Sequence, residues 1–359
     1  MRTGFLFYIY FMNRLISLFF LFVIVLGGLL TWMILGSGTA FNEKDKYFTI
    51  AEGKANKASV LEIVKKKYIV KNTWLFSIVA TQMDLWNKIK PGRYEVKHGE
   101  NMVTIIRTLL NNHQAQINLV INKVRIKEDL AKLISKNFMS DSTEVMNFLN
   151  SPDSLKPYQI DTSKVFTMII PDTYKFYWNT SLRKIFNRLH DASVVFWNEK
   201  ERKEKAAKLG FTPTQAYILA SIIEEETNKD TDRALIASVY INRLNKNMAL
   251  QACPTIKYAM QDFSLTRIYE KYLTNPSPYN TYHNRGLPPG PICTPSIKTL
   301  DIVLNAPKTD YLYFVAKSDF SGYSHFSTTY AEHDKYAKEY QKALDVYMAK
   351  KQLQEEPSQ

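Results

Sequence analysis

The strongest constraint on this chain is an unbroken apolar run near its N-terminus. From Leu15 to Leu35 it reads LISLFFLFVIVLGGLLTWMIL, without one charged side chain. In a helix this run covers about 30 Å, the thickness of a bilayer's hydrocarbon core. A helix suits the crossing because it closes its backbone hydrogen bonds internally. Arg2 and Arg14 precede the run with no acidic residue among them, whereas Glu43, Lys44, Asp45 and Lys46 follow it with mixed sign. That asymmetry keeps the N-terminus cytoplasmic and predicts a single pass through the inner (cytoplasmic) membrane, with the rest of the chain periplasmic or otherwise extracytoplasmic. A cleaved signal peptide is the second reading, helped by the small residues of Gly36-Ser37-Gly38-Thr39-Ala40. Against it stand the length of the run and the lack of a clear A-x-A site. Either way, the remaining chain is exported.

A chain of 359 residues is too long for one ordinary core, so two or three packed units are expected. Its 47 basic against 34 acidic side chains suit an anionic neighbour such as a cell wall or membrane surface. Nucleic acid fits poorly, since the basic residues are scattered and the chain is exported. Cys253 and Cys293 are the only cysteines, which excludes a disulfide-dense scaffold or a site of several thiolates.

After the span at 15–35, residues 41–122 alternate short helices and strands, as a small α+β module would. Val60, Leu61, Ile63 and Val64 make a helical stripe. A second helix starts at Asn72, an N-cap, and turns Leu75, Phe76, Ile78 and Val79 inward. Arg93 to Val96 reads as a strand, Met102 to Leu110 as a helix, and Ile117, Leu119 and Ile121 alternate as a half-buried strand. Residues 123–200 are expected to connect this module to a catalytic domain at 201–346, followed by a flexible, polar tail at 347–359.

Thr212-Pro213-Thr214-Gln215 is a helix start with an N-cap, a proline at the first helical position and a capping box, which fixes the phase of the helix. Leu219, Ile222 and Ile223 then share a face, and Glu226 falls in the same sector. Glu224 and Glu225 point elsewhere and are expected in water. A carboxyl held against aliphatic side chains has its charged form disfavoured, so its pKa rises toward the range of a proton donor at neutrality. The plainer alternative is a buried glutamate paired with Arg233 or Arg243. Further along, Ser277 to Pro295 reads SPYNTYHNRGLPPGPICTP, too rich in Pro and Gly for helix or central strand and too aromatic for a solvated linker. Tyr279, Asn280, Thr281 and Tyr282 offer ring faces and polar groups suited to a sugar polymer, with Gln251, Tyr258 and His325 as further candidates; the alternative is a rigid structural loop.

Taken together, ASIIEEET at 220–227, INRL at 241–244, Leu250-Gln251 with Pro254-Thr255, PYNTY at 278–282, GLPPGPI at 286–292 and YLYFVA at 311–316 with HFS at 325–327 resemble the endolytic murein transglycosylases of the YceG/MltG-like family. The resemblance covers the whole chain. It implies an α+β protein with an N-terminal transmembrane helix, a small LysM-like module and a helical lysozyme-like catalytic domain. It implies cleavage between N-acetylmuramic acid and N-acetylglucosamine within nascent peptidoglycan glycan strands, leaving a 1,6-anhydromuramyl end. A role in ending elongation beside penicillin-binding synthases is also implied. The family's catalytic Glu precedes a Thr at the helix end, here Glu226-Thr227. No cofactor or metal is implied, and one carboxyl suffices because the muramic C6 hydroxyl acts as an internal nucleophile, whereas a hydrolase normally uses a carboxylate pair.

Where relatives often carry Asp before the Pro-Thr pair, this chain has Cys253. Both thiols fall in the exported domain, so a Cys253–Cys293 disulfide is one expectation, and a zinc site of Cys253, Cys293, His283 and His325 a weaker one, unsupported by ligand spacing. A glycan-binding scaffold without activity and a hydrolytic muramidase remain the functional alternatives.

Overall fold

The structure, a computed structural model, describes residues 2–265 and 267–355, with side chains described within 11–349. It mixes helices with three two-stranded sheets and divides into two compact units. The first runs as far as Ile117 and includes Asn137–Met139 and Lys175–Thr180; the second holds Asn118–Lys136, Ser140–Tyr174 and the chain from Ser181 onward. The region 123–200, expected as a connector, thus belongs mostly to the second unit.

Helix α1 spans Arg2–Leu35. Its Phe11–Leu35 portion contains an 18-residue stretch with a mean hydropathy of 2.7 and is long and apolar enough to cross a membrane. The first unit continues through β1 (Asp45–Ile50), α2 (Lys57–Lys66), α3 (Thr73–Gln82), α4 (Leu85–Lys88), β2 (Gly92–Lys97) and α5 (Met102–Leu110). Asn56, Asn72 and Asn101 cap α2, α3 and α5, each side-chain oxygen accepting the otherwise unpaired N–H of Ser59, Leu75 or Thr104. Strands β1 and β2 pair antiparallel with Phe48 opposite Tyr94. These rings join Ile50, Val60, Val64, Phe76, Ile105 and Ile106 in one core. Each large apolar side chain buried this way contributes roughly 1.5–3 kcal/mol. Ile78 departs from the expected stripe: it is 40% exposed, and the smaller Ala80 turns inward instead. Strand β3 (Gln116–Val120) keeps the expected alternation, with Ile117 and Leu119 buried.

The second unit is mainly helical. Its earlier helices are α6 (Lys127–Asn137), α7 (Ser142–Asn150), α8 (Pro152–Leu155), α9 (Leu182–Asn198) and α10 (Arg202–Lys208), while strand β4 (Thr173–Tyr177) has only its first two residues in this unit. Next come α11 (Pro213–Glu226), α12 (Asp230–Asn245), α13 (Cys253–Met260), α14 (Glu270–Leu273) and α15 (Ile297–Leu304). A hairpin of β5 (Tyr313–Ala316) and β6 (Ser324–Ser327) leads into α16 (Tyr330–Glu355). The segment expected as a loose tail is therefore helical as far as Glu355, while 356–359 lies outside the described residues.

Helix α11 is the axis of this unit, packed by α10, α12, α13 and α15. Its capping box forms in both directions, Thr212 accepting from the Gln215 N–H and the Gln215 side chain accepting from the Thr212 N–H. From Ala216 to Glu224 every residue is buried. Such a helix has no solvent face, so the amphipathic phase expected for its C-terminal carboxylates does not apply. Helix α15 is tied in by the buried Arg202, whose guanidinium donates twice to Asp301 at 2.7 and 3.1 Å and once to the Phe196 carbonyl at 2.9 Å. Removing the cap by Thr212→Ala should cost about 1 kcal/mol and lower the melting temperature by roughly 2–4 °C, read by calorimetry or circular dichroism. An unchanged melting curve would show that tertiary packing alone fixes the start of α11.

Candidate functional site

Three consecutive carboxylates end α11, and the fold treats each differently. Glu224, expected in water, is buried. It accepts from the Ser296 hydroxyl at 3.0 Å and from the Thr299 hydroxyl, and lies 3.6 Å from Arg233 and 3.9 Å from Lys123. Glu225, also expected in water, is partly covered and accepts two hydrogen bonds from Arg125 at 3.1 and 2.9 Å, with Lys123 at 3.3 Å. Burial opposes its ionisation, but the Arg125 pair and Lys123 overcome that and hold its pKa below 4.5. The sequence reading failed here because the cations arrive from residues 123–125, about 100 positions away.

Glu226 has no such pair. Arg233 is engaged by Glu224, Asp230 and the Thr227 carbonyl, and Arg243 by the carbonyls of Leu312, Ala249 and Leu250, so neither forms the plain ion pair with Glu226 that the sequence left open. The polar partner of Glu226 is the Tyr240 hydroxyl on α12, which donates to Oε1 at 2.6 Å. Burial pushes the Glu226 pKa up to about 7, against the opposing pull of the Tyr240 hydrogen bond and the Lys257 charge. The residue as a whole is nonetheless partly open to solvent.

Around Glu226 stand Cys253 and Lys257 on α13 and Tyr282 from the PYNTY loop. The Cys253 thiol and Tyr282 hydroxyl are 3.1 Å apart. Tyr258 and Tyr279 stack with ring centres 4.7 Å apart, Phe263 packs on Tyr258, and Arg125 lies over Phe263 at 5.2 Å. Gln251 is exposed with a left-handed backbone (φ 54°), held by its N–H to the Thr281 carbonyl at 3.0 Å.

Asn280 and Thr281, expected against a sugar strand, are instead buried braces of the loop. The Asn280 amide donates to the carbonyls of Leu273 and Asn275 and accepts from the N–H groups of Tyr282 and His283, which uses its full hydrogen-bonding capacity. The Thr281 hydroxyl accepts from Ala252 N–H and pairs with the Thr255 hydroxyl. His325 sits in β6 with its ring stacked on Tyr336 at 4.1 Å. Gly290, in GLPPGPI, passes so close to the backbone that a Cβ there would sit 2.0 Å from the Ser163 carbonyl oxygen.

The expected disulfide is absent. Both cysteines are free: Cys253 is exposed beside Tyr282, and Cys293 is buried with its thiol donating to the Ser221 carbonyl at 3.3 Å. Among the described residues no three His, Cys, Asp or Glu side chains gather as metal ligands. A cleft of about 570 Å³ opens beside Glu224 rather than Glu226. Its lysines are already paired, Lys123 with Glu224 and Glu225 and Lys298 with Asp230.

Residues 48–339 match the YceG-like family. The chain belongs to that family. A relative from Bacillus subtilis (strain 168), named endolytic murein transglycosylase, is 29% identical over 79% of this chain and 81% of its own length. Another of that name, from Streptococcus pneumoniae serotype 2, is 30% identical over 57% of this chain and 37% of its own. The crystal structure of a YceG-like protein from Listeria monocytogenes aligns with a TM-score of 0.54 at 27% identity, covering 82% of this chain and 99% of that one. Within this YceG-like chain, Tyr240, Lys257, Lys123 and Arg125 were missed by sequence reasoning. Tyr240 precedes the INRL motif directly, but nothing local ties it to a residue one helix earlier.

A raised pKa is also a stability statement. Between pH 4.5 and 7 the unfolded chain releases the Glu226 proton while the folded chain keeps it, so stability falls with rising pH over that window. Glu226→Gln should therefore match the parent near pH 4 and exceed its stability by up to about 3 kcal/mol near pH 8, measured by urea unfolding. A pH-independent difference would contradict the buried, protonated carboxyl. Alkylation without reductant should label Cys253 alone in the folded chain and both cysteines after unfolding, read by mass; resistance of both to labelling after unfolding would restore the disulfide.

Proposed function

We propose that this YceG-like chain is a membrane-anchored lytic transglycosylase that cuts peptidoglycan glycan strands endolytically, with Glu226 as its single acid and base. The observation that carries the reading is a carboxyl that receives a neutral hydroxyl, that of Tyr240, beside two others already engaged by cations. The relatives' shared name supplies the substrate class.

In this reading Glu226 donates its proton to the glycosidic oxygen as the bond from muramic C1 breaks. The muramic C6 hydroxyl then attacks C1, and the Glu226 carboxylate takes up the hydroxyl proton. One bond is broken, one is formed, no water is consumed, and the product carries a 1,6-anhydro ring. Hydrolysis would call for a second free carboxylate, and the nearest two in sequence are held in ion pairs. Tyr279, Tyr258 and Phe263 form an aromatic surface on which sugar rings stack, with Gln251 and Tyr282 as further contacts.

We assign the catalytic role to residues 201–346 as a lysozyme-like domain, and to residues 41–122 a LysM-like role in holding or bracing the strand. In this reading the N-terminus lies in the cytoplasm and the catalytic unit outside the inner membrane. Tethered there, the enzyme meets strands as penicillin-binding synthases release them, which suits a role in ending elongation.

Glu226→Gln should retain the parent's circular dichroism while losing about a thousandfold or more in cleavage of purified glycan strands. Mass spectrometry should find anhydro ends in the parent digest. Reducing ends would point to a muramidase, and intact strands to a binding scaffold.

A further inference from the structure

The acid–base reading leaves the closest polar contact of Glu226 without a role. Tyr240 is 1% exposed, and its ring packs edge-on against Phe314 with centres 5.9 Å apart. Its hydroxyl is therefore fixed by packing, and it donates to one oxygen of Glu226, Oε1, at 2.6 Å.

Resting on the catalytic reading of Glu226, we propose that Tyr240 is a positioning residue that reserves Oε2 for the glycan strand. With Oε1 accepting from Tyr240, the neutral acid carries its transferable proton on Oε2. After that proton leaves, the negative charge spreads onto Oε1, and the Tyr240 hydrogen bond becomes charge-assisted and stronger. The contact thus stabilises the state formed during cleavage more than the resting acid, which is what accelerates a chemical step. It also fixes the carboxyl's orientation, so the same oxygen is presented for donation and for the return of the C6 hydroxyl proton.

The other titratable or charged groups near Glu226 do not duplicate this role. Lys257 and Cys253 face it from α13 and Tyr282 from the PYNTY loop, but Tyr282 is turned to the Cys253 thiol. On α12, Arg243 is bound to backbone carbonyls; on α11 itself, Glu225 is bound by Arg125.

Tyr240→Phe keeps the ring and its Phe314 contact while deleting the hydroxyl. In the full-length protein, kcat on purified glycan strands should fall roughly ten- to hundredfold with KM little changed, since a hydrogen bond to a charged group is lost. The alkaline limb of the kcat profile, which reports loss of the protonated acid, should move up by about one pH unit. A fluorotyrosine placed at 240, a stronger donor, should move the limb down and retain activity, which keeps the test intact if the phenylalanine variant folds poorly. An unmoved alkaline limb in either variant would overturn the role of Tyr240. Full activity of Glu226→Gln in the same assay would instead remove the catalytic reading beneath it, so the two failures are distinguishable.

Discussion

Everything in the proposed chemistry depends on one carboxyl being taken out of water without being given a cation to bind. Withdrawing a charge from water costs several kcal/mol, and proteins usually offset that with an ion pair. Glu224 and Glu225 follow the usual course, with Arg233, Lys123 and Arg125 on their oxygens. Glu226 receives the Tyr240 hydroxyl, a neutral donor, and the more distant charge of Lys257. A neutral donor tolerates both protonation states of its partner, whereas a bonded arginine would hold the carboxylate ionised. In the proposed mechanism, the difference among three adjacent side chains of the same type is what makes a helix end a proton donor.

The scaffold around this helix end is built to hold it still. Helix α11 is capped at its start, packed on all sides through Glu224 and latched at its end to Ser296 and Thr299. The PYNTY loop is braced from within by Asn280 and Thr281, so Tyr279 and Tyr282 are displayed on a frame that exists before substrate arrives. A site preorganised this way loses little freedom when a polymer binds.

The capping box, the helix it starts, the Asn72 N-cap and the apolar span were all legible because each rests on local chemistry within a few residues. Glu226 was also singled out, but through an incomplete argument. The amphipathic phase assumed one wet face, and α11 has none through Glu224, so its neighbours proved buried or ion-paired rather than solvated. What separated the three carboxylates was the arrival of Lys123 and Arg125 from far along the chain and Tyr240 from the next helix, and long-range pairings leave no periodic trace. The polar side chains of PYNTY were similarly ambiguous: an amide suited to sugar is equally suited to bracing a loop, and only the count of its bonds in the folded state decides.

The ionisation of Glu226 is most directly measured by carbon-13 NMR of side-chain carboxyls in glutamate-labelled protein, titrated from pH 3 to pH 9, with Glu226→Gln identifying the resonance. A carboxyl titrating near 7 is expected. A resonance that titrates near 4.5, as an ordinary surface glutamate does, would contradict the assignment of Glu226 as an acid at neutral pH.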